Sequence, residues 1–513
     1  MMDAEFEYED GAAARSLADS LCGEWERLCA DYLPLASEGS IWRYSRPPGP
    51  GDAEQGWKLH VSATILTANE VLKRIAAPLS ERGAQFKGPS SLRELQRLNS
   101  GLLYGYSQVG KFITVYPRTA EEAISLARLL HGLTRGLPAP SVPFERRFRP
   151  GSSVFYRYGS FKRIDLDNED GTRMHAVRDP EGRLVADVRE SVSAPAWVSD
   201  PFAGRAAVRR RAVSPGGPLA TTYRALQALT QRGKGGVYKA LDLRASTPRV
   251  CILKEGRARG ETAWDGRDGR WRVRHEKGAL CALRAAGVDA PRVYSSFEEG
   301  GNYYLVTEYV EGESFQALLN RRRRRLSLSQ VFAYGERLSR MLSGIHAAGW
   351  AWRDFKPANV IITEGGDLRP LDFEGACPVE RPDPSPWGTP GFTPPHAGDT
   401  PQAGVCGDLY ALGAFIYFLL TGRLPQSPAA APVSGLRRGV PARVLRVVNR
   451  LLNPDPRERP DAQTVAEELG AFRRTARASS NHGGRALLRA GLRRRRAFRR
   501  EVDASRERGE PGV

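Results

Sequence analysis

Apolar residues recur at helical spacing near the start of the chain. Leu17, Leu21, Trp25, Leu28 and Leu33 predict an amphipathic helix within residues 1–33 that packs on the domain after it. Beyond the Pro/Gly-rich stretch RPPGPGDAEQG, the alternation in Trp57-Lys58-Leu59-His60-Val61-Ser62 predicts a strand. Helical periods follow at 68–81, 91–98 and 121–133, with a β-rich run at 111–117. Arg209-Arg210-Arg211 and Ser214-Pro215-Gly216-Gly217-Pro218 interrupt the pattern and predict an exposed linker. From 219 a strand, loop, strand, helix order begins, and helical patterning resumes over 404–475. The expected division is a helical segment (1–42), an α+β domain (43–205), a linker (206–218), a second domain (219–475) and a tail (476–513). No internal repeat is evident.

A chain of 513 residues is too long for one ordinary core. Its 41% apolar and 26% charged content is that of a soluble globular protein. No run approaches the ~18–20 apolar residues needed to cross a bilayer. The start, MMDAEFEYED, is acidic where a secretory signal is basic and then apolar. Six cysteines (22, 29, 251, 281, 377 and 406) form no C-x-x-C pair, which argues against disulfides and a structural zinc. A reduced, cytoplasmic setting is the expectation.

Net charge is +19, from ten Lys and 67 Arg against 58 acids, and no Lys follows Lys356. The surplus suits a solvated surface, an acidic peptide partner, or nucleic acid held without sequence preference. The tail, with 11 Arg against four acids, reads as a basic end rather than a membrane anchor. Arg keeps its proton in a protein, whereas a crowded or buried Lys loses its own readily. Each Lys retained here is therefore a candidate for chemistry.

Trp352-Arg353-Asp354-Phe355-Lys356-Pro357-Ala358-Asn359 sets an Asp, a Lys and an Asn at catalytic-loop spacing, and Asp372-Phe373-Glu374-Gly375 follows a short apolar strand. One carboxylate to accept a hydroxyl proton, then an amide and a second carboxylate to hold Mg²⁺ on phosphates, is phosphoryl-transfer chemistry. Gly233-Lys234-Gly235-Gly236-Val237 lies between two strands, where glycines let backbone amides approach phosphates. Its first two glycine positions hold Thr230 and Arg232 instead. Lys254, ending the strand run Val250–Lys254, suits the α and β phosphates, and Glu276 in the helix after it suits an ion-pair partner. Glu308 and Val310 fall in a hinge reading, where backbone groups would bind the base; Asp408 suits a buried brace for the catalytic loop.

Residues 219–475 resemble a two-lobed eukaryotic-type protein kinase. The resemblance implies Asp354 as base, Lys356 as the cation steadying the moving phosphoryl group, and Asn359 and Asp372 as metal ligands. Trp352 stands where the family has His. His396 replaces a Glu expected to pair with a late arginine, here Arg459. Arg353 and the Pro-rich 381–395 leave room for control by phosphorylation, for example at Thr389.

In the first domain, Lys58 and His60 are two apart on a strand and share a face. With Lys87, Lys111 and Arg157 they could line a cationic pocket for a phosphate dianion. Crowding there would lower one Lys pKa toward neutrality and make a base. Each residue alone is better read as a solvated or structural side chain.

GWKLHVSAT, FKGPSSLRELQRLNSG, QVGKFITVYP and FYRYGSF resemble the lyase domain of class III and IV lanthipeptide synthetases, itself similar to phosphothreonine lyases. That resemblance implies Lys87 as the α-proton base and His60 as the acid, with Lys58, Lys111 and Arg157 binding phosphate. It further implies ATP or GTP with Mg²⁺, a precursor peptide substrate and no specific nucleic acid. Such synthetases continue into a cyclase, for which residues 476–513 are too few, so thioether rings, if formed, would need a separate cyclase or spontaneous cysteine addition. The expected activity is dehydration of Ser/Thr by phosphorylation and elimination. The rivals are a regulatory Ser/Thr kinase with a phosphopeptide-docking first domain, and a catalytically silent scaffold.

Overall fold

The computed structural model describes residues 11–472 except 168–170, 190–191, 193, 204–215, 245, 323–324, 386, 395–403 and 426–432. The basic tail and most of the expected linker lie outside the described residues. The chain divides into two compact units, Met1–Ala282 with Pro291–Tyr309, and Leu283–Ala290 with Val310–Val513.

The first unit opens with α1 (Gly11–Tyr32), β1 (Leu35–Ala36), β2 (Trp42–Tyr44), β3 (Gln55–Val61), α2 (Ala68–Glu81) and β4 (Gln85–Pro89). It continues through α3 (Leu92–Ser100), β5 (Ile113–Tyr116), α4 (Ala120–Thr134), β6 (Arg146–Arg147) and β7 (Val154–Ser160). The seven strands form one antiparallel sheet in the order β1-β2-β4-β5-β3-β7-β6.

Alternation along β3 divides its side chains between two faces. Trp57, Leu59 and Val61 join Phe86, Val115 and Tyr156 in a core closed by Val71, Leu72, Ile75 and Leu79 of α2 and Leu126 and Leu130 of α4. Lys58 and His60 take the opposite face. The helices begin where their caps dictate: Ser91 accepts from Glu94 N–H for α3, and Thr119 from Glu122 N–H for α4. Trp25, Cys29 and Leu33 sit in the same core. The N-terminal helix is thus part of the first domain's packing, and β2 runs across the boundary expected at 42/43.

A separate three-stranded sheet, β8 (Asp165–Asp167), β9 (Arg173–Arg178) and β10 (Leu184–Ala186), follows. After α5 (Pro218–Thr221) comes an antiparallel five-stranded sheet: β11 (Tyr223–Gln231), β12 (Gly235–Asp242), β13 (Arg249–Gly256), β14 (Val293–Glu299) and β15 (Asn302–Glu308). Its order is β11-β12-β13-β15-β14, and α6 (Gly269–Ala285) intervenes between β13 and β14. Tyr223, Ala240, Cys251, Leu253, Tyr304 and Val306 form its core.

The second unit is largely helical. It holds β16 (Glu313–Ser314), α7 (Phe315–Arg321), α8 (Leu328–Ala347), β17 (Trp350–Ala351), β18 (Val360–Ile362), β19 (Leu368–Pro370) and β20 (Cys377–Pro378), then α9 (Val405–Thr421), α10 (Val433–Leu436) and α11 (Ala442–Leu451). A capping box, Ser327 with Gln330, starts α8. Among the described residues, no helix is long and apolar enough to cross a membrane.

Candidate active sites

Strand register builds the first site. Tyr44 pairs with Lys87 across β2 and β4, Lys87 with Thr114 across β4 and β5, and Thr114 with His60 across β5 and β3. Lys58 pairs with Arg157 across β3 and β7. These partners share one face, so residues far apart in sequence converge. They line a cavity of about 70 Å³ with Trp42, Gln108, Lys111, Tyr116 and Arg189. That is several times what a water needs and far below the ~300 Å³ of a drug-sized pocket, a size for a small anion. All five residues singled out in the sequence, Lys58, His60, Lys87, Lys111 and Arg157, are brought together there.

The cavity is strongly cationic. Lys58, Lys87, Lys111, Arg157 and Arg189 face it, and Glu145 and Asp187 are the carboxylates paired with them. Burial, with Arg189 and Lys111 nearby, lowers the Lys87 pKa to about 8. Its ammonium lies 4.3 Å from the centre of the Trp42 ring. Lys58 is only 7% exposed; burial and Arg157 push its pKa well down, and its Nζ donates to the Ser160 carbonyl at 2.8 Å. Burial also lowers the pKa of Lys111, against the opposing pull of Glu145.

Glu145 contacts two of these groups at once, His60 Nδ1 at 2.6 Å and Lys111 Nζ at 2.9 Å. Its contacts with His60 and Lys111 hold its carboxyl well below the usual range despite complete burial. His60 is pulled both ways. Burial, Lys111 and Lys58 outweigh Glu145 and take its pKa down to about 4, so its imidazole is neutral at pH 7 in the cavity as it stands. Glu145, Arg189, Trp42, Tyr116 and Gln108 escaped the sequence reading. Glu145 precedes a two-residue strand and Arg189 follows a three-residue one, so no period marked either.

The kinase-like residues fall in both units, and each set has its own geometry. In the first unit, Lys254 Nζ pairs with Glu276 at 2.6 and 2.8 Å, the partnership expected from the sequence. Gly233 and Lys234 form the tip of the β11–β12 hairpin: Arg232 N–H donates to Gly235 O at 2.8 Å, and Gly235, Gly236 and Val237 open β12. Glu308 ends β15, and its N–H donates to the Arg292 carbonyl at 2.8 Å.

In the second unit, which also holds Val310, Asp354 is the hub. Lys356 Nζ donates to Asp354 Oδ2 at 2.6 Å and to Thr389 Oγ1 at 2.8 Å, and the Thr389 hydroxyl donates to Asp354 Oδ1 at 2.7 Å. Burial raises the Asp354 pKa against the opposing pull of Lys356, which favours proton acceptance. Thr389 is therefore part of this network, and a phosphate there would set a dianion against Asp354. Asn359 Nδ2 donates to the Asp354 carbonyl at 2.9 Å and to Oδ2 at 3.0 Å. Both bonds engage the amide nitrogen and leave Oδ1 as its other polar atom. Asn359 and Asp372 supply oxygen donors, the type Mg²⁺ takes alongside substrate phosphates, so this pair fits that ion.

Asp408 braces the loop. Its carboxylate accepts from Trp352 N–H and Arg353 N–H, both at 2.7 Å, and meets His346 Nε2 at 3.0 Å. These bonds hold Arg353 at φ 68°, and Trp352 Nε1 donates to the carbonyl of Asp372, itself at φ 60°. Trp352 is fully buried and stacks on Phe373, centroids 5.1 Å apart. Arg459 donates to the carbonyls of Cys406, Asn453 and Pro454; His396, which stands in place of the family's pairing Glu, lies outside the described residues.

Residues 35–214 match the family described as RamC, N-terminal domain, and residues 232–469 match the protein kinase domain family. The chain joins a RamC-type domain to a protein kinase domain. Over 388 residues it is 32% identical to the probable SapB synthase of Streptomyces coelicolor, an alignment covering 73% of this chain and 40% of that protein. It is 29% identical over 269 residues to the serine/threonine-protein kinase PknA of a Nostoc species, covering 49% of this chain and 46% of the relative. The chain thus spans less than half the length of either of these two relatives. To PknL of Mycobacterium tuberculosis it is 26% identical over 302 residues, covering 53% and 74%. The SapB synthase match extends well beyond the kinase domain, so the RamC-type domain shares in it.

Proposed function

We propose that this protein dehydrates Ser and Thr residues of a ribosomally made precursor peptide in two steps, in the cytoplasm, with ATP or GTP and Mg²⁺. The kinase domain transfers a phosphoryl group to the side-chain hydroxyl, and the RamC-type domain eliminates it to leave dehydroalanine or dehydrobutyrine. The observation that carries this reading is the cationic cavity, in which a lysine with pKa about 8 shares a face with His60 and further cations. The kinship with a SapB synthase supports a peptide substrate. A cyclase, or spontaneous cysteine addition, would then close rings.

In the first step Asp354 accepts the hydroxyl proton, Lys356 steadies the phosphoryl group, and Lys254 holds the α and β phosphates, with the glycine loop of Gly233, Gly235, Gly236 and Val237 above them. Backbone groups about Glu308 and Val310 receive the base. Asn359 and Asp372 would hold Mg²⁺, which neutralises phosphate charge.

In the second step Lys87, as the neutral amine, removes the α-proton. The C–H electron pair becomes the Cα=Cβ bond, the Cβ–O bond breaks, and phosphate leaves. Lys58, Lys111, Arg157 and Arg189 stabilise the departing dianion. His60 gives the leaving oxygen a proton. It can do so because the bound dianion opposes Lys58 and Lys111 and restores the imidazolium, which Glu145 then steadies.

Mass spectrometry of the precursor tests this. Wild type should yield products lacking the mass of water, Lys87→Ala should accumulate phosphopeptide, and Asp354→Ala should leave peptide unmodified. Phosphopeptide as the sole wild-type product would make this a kinase whose first domain only docks phosphopeptides. A wild type that binds no Mg-nucleotide would be a scaffold.

A further inference from the structure

We propose that the RamC-type domain positions the glycine loop of the kinase domain, so that Tyr106 and the Asn99–Ser100 turn help to set nucleotide affinity. Three contacts carry this, all inside the first unit. Gly233 N–H donates to the Ser100 carbonyl at 2.9 Å, and a Cβ at position 233 would lie 1.7 Å from the Asn99 carbonyl oxygen. The loop tip is therefore seated on the last turn of α3, backbone against backbone.

The second contact is Arg257, just past β13. Its Nη1 donates to the Arg232 carbonyl at 2.7 Å and its N–H to the Lys234 carbonyl at 2.8 Å, while its guanidinium lies 4.8 Å from the centre of the Tyr106 ring. One side chain thus grips the root of the glycine loop and the aromatic face of the other domain. Third, Trp264, in the same segment between β13 and α6, packs against the core of the RamC-type domain.

A glycine loop covers the nucleotide phosphates, and its pose governs how well they are held. Thr230 and Arg232 occupy two positions where the family pattern has glycine. Support from a neighbouring domain accounts for a loop that keeps its place without them. The ledge also adjoins the elimination cavity. Asn99 Oδ1 accepts from Gly110 N–H at 3.1 Å, next to Lys111, and Gln108 lies two residues beyond Tyr106. A test must therefore read both activities.

In the full-length protein, titration with Mg–mant-ATP should show Tyr106→Ala weakening binding by about three- to tenfold, the scale of a lost cation–π contact. Tyr106→Phe, which keeps the ring, should bind within about twofold of wild type. Arg257→Gln should weaken binding too, and the double variant should be no weaker than the weaker single variant. Elimination from a synthetic phosphothreonine peptide should be unchanged in Tyr106→Ala. Should Tyr106→Ala fail to fold, Tyr106→Leu replaces it, filling the space without a π face. Unchanged nucleotide affinity, additive single effects, or equal losses in binding and elimination would overturn the proposal. A wild type that binds nucleotide but eliminates nothing would refute the lyase reading and leave the nucleotide result standing.

Discussion

Glu145 meets His60 Nδ1 at 2.6 Å with both side chains buried, and the same carboxylate reaches Lys111. The contact fixes which imidazole nitrogen faces the cavity and supplies the negative charge an imidazolium needs. Glu145→Gln keeps the shape and removes the charge. Elimination from a phosphopeptide should fall on the order of a hundredfold, the lower end of a general-acid contribution. Phosphorylation of the precursor should not change. Wild-type elimination in Glu145→Gln would show that His60 works unaided.

Lys87 must be neutral to act as a base, and its pKa is about 8. Below that pH it is mostly protonated and idle; above it, neutral. The kcat/KM for elimination should therefore climb as pH rises from 6 and level off above about 8, the free-enzyme value. A profile flat between pH 7 and 9 would remove Lys87 from the role.

The three cavity lysines, Lys58, Lys87 and Lys111, have depressed pKa values because all are buried and neighbouring cations repel their charge. A phosphate dianion reverses that balance, so its binding should be accompanied by proton uptake. Calorimetry at pH 8, where inorganic phosphate is already the dianion, in buffers of different ionisation enthalpy would measure it. Proton release would contradict the assignment.

Arg353 is buried against Asp383 at 3.1 Å and also donates to the Ser385 carbonyl. A carboxylate of the chain thus fills a place where phosphate on the activation segment could bind, and phosphatase-treated protein should retain kinase activity. Asp383→Ala strands a buried guanidinium and should lower stability by roughly 3–5 kcal/mol in denaturant unfolding. Inactivation by phosphatase would count against the reading.

The Thr389 hydroxyl joins Asp354 to Lys356. Thr389→Ala should lower the phosphorylation rate by about tenfold or more, the worth of a hydrogen bond to a charged group, and Thr389→Ser should restore it. Equal rates in all three proteins would exclude a role for this hydroxyl.

Much of this is legible in the sequence because it rests on periodicity or on fixed local spacing. The two-residue step from Lys58 to His60 puts both on one face of any strand they form, and the helices at 68–81 and 121–133 recur as α2 and α4. Lys254 and Glu276 meet as their spacing suggests. Glu145, Arg189 and Trp42 are invisible for the opposite reason: each reaches the cavity through tertiary packing from a strand of two or three residues, or from a loop beside one, too short to carry a pattern. In the sequence Thr389 is one hydroxyl in a Pro-rich stretch, and its contact with Asp354 is visible only in the structure. The contact of Gly233 with the α3 turn is likewise tertiary and leaves no local mark in the sequence.

Because Lys58 and His60 are alternate residues of an interior strand, the chemistry of the first domain is hostage to hydrogen-bond registration. Sliding β3 by a single residue would turn both toward the apolar helices and present Trp57 and Leu59 to the anion instead. Such a pocket cannot be retuned by gradual backbone drift; it stands complete or is abolished, and change is left to the loops around its mouth.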